Sequence, residues 1–543
     1  MPGTIIENLS GRKLGVLVAT LFVGEIACFL IGGLIAPSPA GTFHIVATTC
    51  LDPQPDNPDT TRFITKDCRK VDLHSKDFVM NELNAKDLVF VMAMPMGMAT
   101  RDFSRWQQNL VGVLHMEIAH GKDFKMDNTI ELILDARLAY RNKDDTQWHY
   151  HSHATERRLM DCDWDHGLSS EKNDGYPYNC TIVPLFELGS LHHDYYLLNL
   201  RLPSSATGKT NNFGWLWEIT LHLIHMNGGF TMVWLSLKAL FFPLIVGLMC
   251  WFWHRVHILE RTPALLEYML MYLGGTLAFL DMPLEYLTLF FEMPYMLLLG
   301  DIRQGIFYAM LLSFWLVFAG EHMLIQDNGE KNTLRLYWKH LSAIAIGCTS
   351  LLIFDLCERG VQLVNPFYTI WVTPIGTNLA LSFIILAGIS ACIYFVFLCY
   401  MVWNVFKNIS IKRSSLPNMS SARRLHYEGI IYRFNFLMLA TLVCAAITIA
   451  SFILSQFNEG HHKWDDNADQ LELSSAIFTG VYGMWNIYIM TLLILYAPSH
   501  KQWPSEPICG ENAEEVEFNR LPSDTSANEI SSLTSFASKA AID

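Results

Sequence analysis

The sequence predicts a polytopic α-helical membrane protein of eight spans with a luminal β-sandwich domain. Three observations predict this fold class. Of the 543 residues, 51% are hydrophobic and 17% are charged, and the apolar residues gather in stretches of about 20, which is the length that crosses a bilayer. A polar region of domain size separates the first stretch from the others. Lys and Arg accumulate in alternate loops, as they do in multi-pass membrane proteins.

The apolar stretches define the domain organisation. They cover Leu14 to Ile35, Val233 to Trp253, Leu265 to Phe291, Gly305 to Ile325, His340 to Leu356, Leu379 to Trp403, Phe434 to Phe457 and Ala476 to Tyr496. We therefore expect a cytosolic N-terminus (1–13), a first span (14–35), a luminal β-rich domain (36–232), a seven-span bundle (233–496) and a cytosolic tail (497–543). The tail is rich in Ser, Asn, Glu and Ala, a composition that predicts disorder.

The positive charges of the short loops orient the chain. They precede the first span and follow the second, fourth and sixth, at Arg12, Lys13, Arg255, Arg261, Lys331, Arg335, Lys339, Lys407, Lys412, Arg413, Arg423, Arg424 and Arg433. The loop after the seventh span instead carries one Lys against four acidic residues. Because cytosolic loops hold the excess of Lys and Arg, both termini are expected in the cytosol. The net charge of −14 makes a nucleic-acid partner unexpected, since phosphate binding needs a basic surface.

The large polar region carries residues that suit an oxidising lumen. Cys50, Cys68, Cys162 and Cys180 lie there, an even number that favours disulfides. Four cysteines allow three connectivities, of which Cys50–Cys68 with Cys162–Cys180 is the most local. Asn179 begins the glycosylation acceptor Asn-Cys-Thr in the same region.

Within this region, runs of β-branched, aromatic and alternating apolar residues predict strands. They are Leu88 to Met94, Ile130 to Tyr140, Tyr196 to Leu202 and Trp217 to Ile224. Asn109 to His120 fits either a strand or an amphipathic helix. Turn-forming residues separate these runs, so a β-sandwich is the expected architecture.

The first span has an alternative interpretation as a cleaved signal peptide, because small residues at Ser38 and Ala40 provide a cleavage site. Cleavage would leave seven spans, the outline of a signalling receptor. The apolar run is about 22 residues long, whereas a signal core has roughly 7–15. We therefore predict a retained anchor.

Two groups of residues could carry chemistry. His149, His151 and His153 would share one face of a strand, at a spacing that can bind zinc or copper, but the preceding Lys-Asp-Asp favours a solvated loop. Asp281 and Asp355 lie within apolar stretches, where an ionisable residue suggests a function.

Neither Asp has the Gly-x-Gly-Asp context of intramembrane proteases. Asp355 can pair with Arg359 four residues later, and Asp281 shares a helical face with Glu285. The sequence thus predicts no metal, no cofactor and no enzymatic activity.

Two tyrosine motifs resemble sorting signals. Tyr427-Glu428-Gly429-Ile430 has the form that cytosolic adaptors bind as an extended peptide, and it lies in a loop predicted to be cytosolic. A basic lead-in to the next span is the alternative explanation. Asn365-Pro366-Phe367-Tyr368 is predicted to be luminal, where a turn that seats aromatic residues at the membrane edge suits it better.

Long contiguous blocks of the chain closely resemble the Wntless family, which carries lipid-modified Wnt proteins. The blocks are GDIRQGIFYAMLLSFW (Gly300 to Trp315), CERGVQLVNPFY (Cys357 to Tyr368), RRLHYEGIIYRF (Arg423 to Phe434), FTGVYGMWN (Phe478 to Asn486) and LYAPSHK (Leu495 to Lys501). Shorter matches extend the resemblance over nearly the whole chain, and the tail departs most.

The resemblance implies that spans two to eight are arranged like a seven-helix receptor beneath the luminal domain. It implies binding of acylated Wnt proteins in the ER and Golgi, transport to the plasma membrane, and return through endosomes with a clathrin adaptor and retromer. Tyr427 and Ile430 would anchor the adaptor. A seven-helix signalling receptor, or a membrane enzyme, is the alternative function.

The resemblance also places the acyl chain in the membrane bundle. Membrane lipids are a further expected partner. We expect the cavity in spans four to seven. The candidate lining residues are Phe307, Tyr308, Leu311, Phe314 and Trp315. The luminal domain and the loop from Cys357 to Tyr368 would hold the protein part. Burial of a chain of about sixteen carbons contributes roughly 10 kcal/mol, at about 0.8 kcal/mol per CH₂. The glycines of these spans fit either a cavity or close helix packing.

Overall fold

The computed structural model of the protein describes most of the membrane bundle and of the extramembrane domain. The described residues are 4–9, 11–54, 59, 61–71, 87–95, 102–119, 129–163, 177–203, 211, 215–259, 261–324, 337–415, 428–429, 431–432, 434–448, 450 and 471–499. The predicted tail lies outside the described residues from position 500 onward.

Strands build the domain between the first and second membrane helices. They are β1 (Ala40–Val46), β2 (Thr48–Leu51), β3 (Leu88–Met94), β4 (Leu110–Ala119), β5 (Thr129–Arg141), β6 (His149–Asp163), β7 (Asn179–Cys180), β8 (Val183–Leu188), β9 (Tyr195–Arg201) and β10 (Trp215–Met226). A four-stranded sheet has the order β1-β10-β4-β8, and a six-stranded sheet the order β2-β3-β9-β5-β6-β7. All described pairings are antiparallel.

The two sheets enclose one apolar core, as a β-sandwich requires. In β4, Leu110, Leu114 and Met116 point inward and are almost fully buried, while Val111, Val113 and His115 are more exposed. This period of two settles the ambiguous segment as a strand. The four strands predicted from sequence are confirmed, with boundaries that differ by at most two residues.

The solvated loop predicted for the three histidines is wrong. His149, His151 and His153 lie in β6, which pairs with β5 along nearly its whole length. The long cross-strand ladder outweighs the local polarity, since sheet formation depends on pairing and burial more than on residue type. Asp135 of β5 faces His153, with Nε2 2.7 Å from Oδ1.

Two disulfides tie the domain together. Cys50 is bonded to Cys68, and Cys162 to Cys180. The first bond holds residues 61–71 over the outer face of the six-stranded sheet, where the Asn199 side chain accepts from the Ile64 N–H at 2.7 Å. The second bond joins β6 to the short edge strand β7, on which Asn179 is exposed.

Apolar helices build the rest of the described chain. They are α1 (Ile5–Asn8), α2 (Gly11–Leu30, extended by a π-helical turn Ile31–Ile35), α3 (Gly228–Ile258), α4 (Leu265–Asp281), α5 (Met296–Leu324), α6 (Trp338–Gln362), α7 (Pro374–Ser415), α8 (Phe434–Thr448) and α9 (Leu471–Leu495). Among the described residues, seven helices are long and apolar enough to cross a membrane, and the shorter α8 lies at the predicted seventh span.

Several helices differ from the predicted spans at their ends. Helix α5 begins nine residues before the predicted Gly305, and α7 continues to Ser415. The hydropathy pattern identifies only the part of a helix that lies in the hydrocarbon layer of the membrane, whereas the backbone hydrogen bonds of the helix continue beyond that layer. The predicted third span is interrupted instead. Its helix ends at Asp281, and a separate 3₁₀ helix, Leu284–Leu289, follows Pro283, because proline cannot donate the next helical hydrogen bond.

The first membrane helix packs against the last. Thr479 donates to the Cys28 carbonyl at 2.9 Å, and side chains of α2 occupy the space beside Gly480 and Gly483, where a Cβ would collide with Phe29 or Cys28. The Ile5 N–H donates to the Ala497 carbonyl at 2.9 Å. The two ends of the described chain therefore lie together on one side of the bundle.

The loop between α6 and α7 anchors the β domain to the bundle. Phe367 is 1% exposed and belongs to the sandwich core, with its ring 6.1 Å from that of Phe186. Arg158 of β6 donates to the Phe367 carbonyl and, at 2.9 Å, to the Pro184 carbonyl. The Asn365 amide donates to Glu156 at 3.0 Å. These contacts fix one side of the β domain over the helices.

This loop corrects two expectations. Phe367 lies inside the β domain and not at the membrane edge, since burial in the sandwich removes the whole ring from solvent. Arg359 forms ion pairs with Asp301 at 2.9 Å and with Glu187 at 3.4 Å, so its described ion-pair partners do not include Asp355. Arg359 lies where α5, α6 and the β domain meet, and tertiary contacts replace the helical pair.

Replacing Phe367 by Ala should weaken loop docking by about 3–5 kcal/mol, the usual cost of removing a buried Phe ring. Hydrogen exchange of residues 363–370 should accelerate. Val364→Ala, in the same loop at a position that is 86% exposed, is the matched control and should leave exchange unchanged. Equal exchange in Phe367→Ala and the native chain would contradict the anchoring role.

Candidate functional site

A cavity of about 640 Å³ lies where the β domain meets the membrane helices. Its volume falls within the roughly 300–1,000 Å³ that is typical of small-molecule sites. Most of its lining is apolar, and it extends into the helix bundle beside Phe307 and Trp485. Tyr308 and Phe478, which also line it, are 43% and 50% exposed. The cavity therefore reaches the lipid-facing surface of the bundle.

Helical periodicity explains most of the lining. The α5 residues recur at intervals of three and four, which places them on one face of the helix. They are Met296, Leu297, Gly300, Asp301, Arg303, Gln304, Phe307 and Tyr308. Helix α9 contributes a similar stripe of Ile477, Phe478, Val481, Tyr482, Trp485 and Asn486. Trp234 and Lys238 of α3, and Leu277 and Leu280 of α4, complete the walls with Thr448 of α8.

The β domain closes the cavity from above. The connection from β8 to β9 supplies Gly189, Ser190, Leu191 and His192, and the segment before β4 supplies Arg105, Gln108 and Asn109. At Gly189 the backbone comes so close to the bundle that a Cβ would lie 2.8 Å from the Pro294 carbonyl oxygen. Only glycine allows this approach without a shift of the backbone.

Hydrogen bonds join the two parts at the cavity rim. Arg105 donates to the Leu289 carbonyl at 3.0 Å, and the Met293 N–H donates to Nε2 of His192 at 3.1 Å. Burial lowers the pKa of His192 below its ordinary value, which keeps the ring neutral and its Nε2 free to accept. Protonation of His192 at acidic pH would remove this acceptor and with it the hydrogen bond from Met293.

One wall of the cavity carries buried charges. Lys238 Nζ lies 2.5 Å from Oε1 of Glu285, and Arg303 Nη1 lies 3.4 Å from the same oxygen. Arg303 also donates to the carbonyls of Phe279 at 3.0 Å and Met282 at 2.7 Å. Tyr482 donates to Oδ1 of Asp281 at 2.7 Å. Each of these four ionic residues exposes 8% or less of its surface.

This network revises the expectation for Asp281 and Glu285. The two carboxylates do not share a continuous helix, because α4 ends between them. Glu285 pairs with two cations, and Asp281 accepts from a tyrosine of α9. Lys238 and Arg303 were not identified from sequence as functional residues, although cations within or beside apolar spans are the signal that marks such a site.

The structure brings two of the five proposed lining residues to the cavity. Phe307 and Tyr308 line it, whereas Leu311 and Phe314 are fully buried in the bundle core and Trp315 donates to Tyr488 at 3.2 Å. These three positions lie one or two turns farther along α5, where neighbouring helices pack against the same face of α5. Within the bundle, the described lining of this cavity comes from α3, α4, the 3₁₀ helix, α5, α8 and α9. The predicted fifth and sixth spans, α6 and α7, supply none of its described lining residues.

The tyrosine motif lies mostly beyond the described residues. Tyr427 and Ile430 are outside them, and Glu428 and Gly429 have helical backbone. Both described positions are partly exposed, in the connection between α7 and α8.

The bundle, the β-sandwich and the cavity between them define a multi-pass membrane protein whose extramembrane domain covers an apolar cavity. The chain belongs to the Wntless family. Residues 48–226 match the Wntless GOLD domain, and residues 227–500 match the Wntless-like transmembrane domain.

Relatives called protein wntless match along their full length. The chain is 56% identical over 568 residues to that of Drosophila mojavensis and 56% identical over 572 residues to that of Drosophila virilis. It is 55% identical over 569 residues to that of Drosophila grimshawi. In each case both chains are covered completely.

Gly300→Leu should reduce the binding of an apolar probe, such as a fluorescent fatty-acid ester, by about 1–3 kcal/mol, because the added side chain would occupy part of the cavity that the probe fills. Gly305→Leu is the control. Both glycines lie on α5, and a Cβ added to either would have open space within 4 Å, but only Gly300 lines the cavity. Equal affinity in the two variants would show that the probe binds elsewhere.

Proposed function

We propose that this protein is a transport receptor that binds lipid-modified Wnt proteins in the secretory pathway and carries them to the cell surface. The observation that carries this proposal is the apolar cavity of about 640 Å³ beneath the β domain. An attached acyl chain would otherwise insert in a membrane or promote aggregation. The family to which the chain belongs supports this assignment of cargo.

A carrier needs a second surface for the protein part of its cargo. The β domain supplies this surface at the cavity rim, where Arg105 and His192 lie. The segment from Cys357 to Tyr368, which forms the end of α6 and the turn after it, contacts the same domain through Asn365 and Phe367. Cargo bound at both places would be held by apolar burial and by polar contacts. The same two-part arrangement requires no reacting group and no cofactor, which fits a carrier better than an enzyme.

On this proposal the β domain lies in the lumen of the ER and Golgi, and outside the cell at the plasma membrane. Its two disulfides and its exposed Asn179 suit that compartment. The contact between Ile5 and Ala497 supports termini on one side of the membrane, and the Lys and Arg of the alternate loops assign that side to the cytosol. The domain limits 1–13, 14–35, 36–232, 233–496 and 497–543 follow this topology.

The carrier is returned from the surface by endocytosis through the Tyr427 motif. A clathrin adaptor would bind Tyr427 and Ile430, and retromer would return the protein from endosomes to the Golgi. Since adaptors bind such motifs in extended form, the helical backbone at Glu428 and Gly429 must open when the adaptor binds.

The acyl-dependent capture is tested by co-purification of the full chain with one Wnt protein in mild detergent. The acylated form should be recovered strongly and the form without its acyl chain weakly, because roughly 10 kcal/mol of apolar burial is then lost. Gly300→Leu should reduce recovery of the acylated form, and Gly305→Leu should not. Equal recovery of both cargo forms would assign recognition to the β domain and overturn the role of the cavity.

Tyr427→Ala should raise the amount of this protein at the cell surface severalfold, since its uptake would no longer involve the adaptor. Cargo co-purification should be unchanged, because the motif lies on the opposite side of the membrane. Surface biotinylation with and without a chase measures the rate of uptake. Tyr432→Ala, in the same connection, is the control. Unchanged uptake in Tyr427→Ala would show that another signal is used.

A further inference from the structure

The charged wall of the cavity contains hydrogen-bond acceptors that no described group satisfies. They are Oε2 of Glu285 and Oδ1 of Asn486. Glu285 is 8% exposed, and Asn486 is 0% exposed. Glu285 and Asn486 line the cavity directly. Unmet acceptors at such depth are uncommon, because a buried polar atom without a partner is destabilising.

The neighbouring donors are directed to other atoms. Lys238 and Arg303 both approach Oε1 of Glu285, and the remaining contacts of Arg303 are to backbone carbonyls of α4 and the turn that follows it. Tyr482 donates to Oδ1 of Asp281. The Asn486 amide nitrogen donates to the Tyr482 carbonyl at 3.2 Å. The wall therefore presents unpaired acceptors toward the cavity beside Lys238, whose ammonium group donates to Glu285 in its one described hydrogen bond.

Acceptors of this kind distinguish two classes of apolar ligand. A phospholipid or a fatty-acid ester carries oxygens around its ester groups but no N–H or O–H donor there. An acyl chain that is esterified to a peptide brings backbone N–H groups within a few bonds of the ester. The cavity reaches the lipid-facing surface at Tyr308 and Phe478, so membrane lipids compete for it.

We propose that Glu285 and Asn486 form a donor-specific subsite that favours a peptide-linked acyl chain over a membrane lipid. This inference rests on the proposed function, since it assigns the chemical group that the carrier recognises. A site with buried acceptors rejects a ligand that leaves them unpaired more strongly than an apolar pocket rejects a poor fit. A hydrogen bond to a carboxylate is also stronger than one between neutral groups.

Two matched probes test this subsite on the full chain in detergent micelles. One is the palmitoyl ester of N-acetyl-serine N-methylamide, which has two N–H donors. The other carries methyl groups on both amide nitrogens and has none. Displacement of a fluorescent fatty-acid ester reports both affinities. The native chain should bind the donor probe about tenfold more tightly, as expected for one hydrogen bond to a charged acceptor.

Asn486→Leu removes one acceptor at similar volume and should reduce that preference severalfold. Leu277→Ala, on the apolar wall, should weaken the binding of both probes equally and leave the ratio of their affinities unchanged.

The comparison of the two probes on the native chain tests the subsite even if Asn486→Leu does not fold. Equal binding of both probes would overturn the subsite and would indicate that water satisfies the acceptors. The proposed carrier function would not be affected by that result. If the Asn486→Leu variant keeps the full preference for the donor probe, Asn486 is not part of the subsite. If neither probe binds, the cavity is not the acyl site, and both proposals fail.

Discussion

The guanidinium group of Arg303 satisfies the backbone where helix α4 ends inside the bundle. The last carbonyls of a helix have no partner within it, and the bilayer core offers no water to replace them. Arg303 donates to the carbonyls of Phe279, Leu280 and Met282 and is paired with Glu285. With these groups satisfied, the chain can leave the helix at Pro283, and the 3₁₀ helix that follows forms part of the cavity wall.

The position of the β domain depends on two attachments on different sides. On one side Phe367 is buried in the sandwich core, and Arg158 holds its carbonyl. On the other side Arg105 and His192 hold the connection between α4 and α5. The cavity adjoins the second attachment, because Arg105 and His192 line it.

The cavity has two unlike surfaces, one apolar and one charged. Stripes on α5 and α9 supply apolar side chains that suit an acyl chain. The wall formed by Lys238, Glu285 and Asn486 is polar and well buried. Buried ionic groups add little net stability, because desolvation offsets most of their attraction. In the proposed subsite they select between ligands, since a ligand that cannot donate a hydrogen bond to the unpaired acceptors binds less tightly.

From the sequence alone, the apolar segments, the separate β domain and four of its strands could be predicted, because the length and period of apolar runs depend only on local order along the chain. It also pointed to α5 as a cavity wall. Three outcomes could not be predicted: Phe307 lines the cavity while Phe314 does not, Arg359 pairs with Asp301, and Phe367 enters the sandwich. They depend on contacts between residues far apart in the chain. Arg303, Glu285 and Asn486 line one cavity because three separate elements converge there, and the pattern within any one segment does not show this.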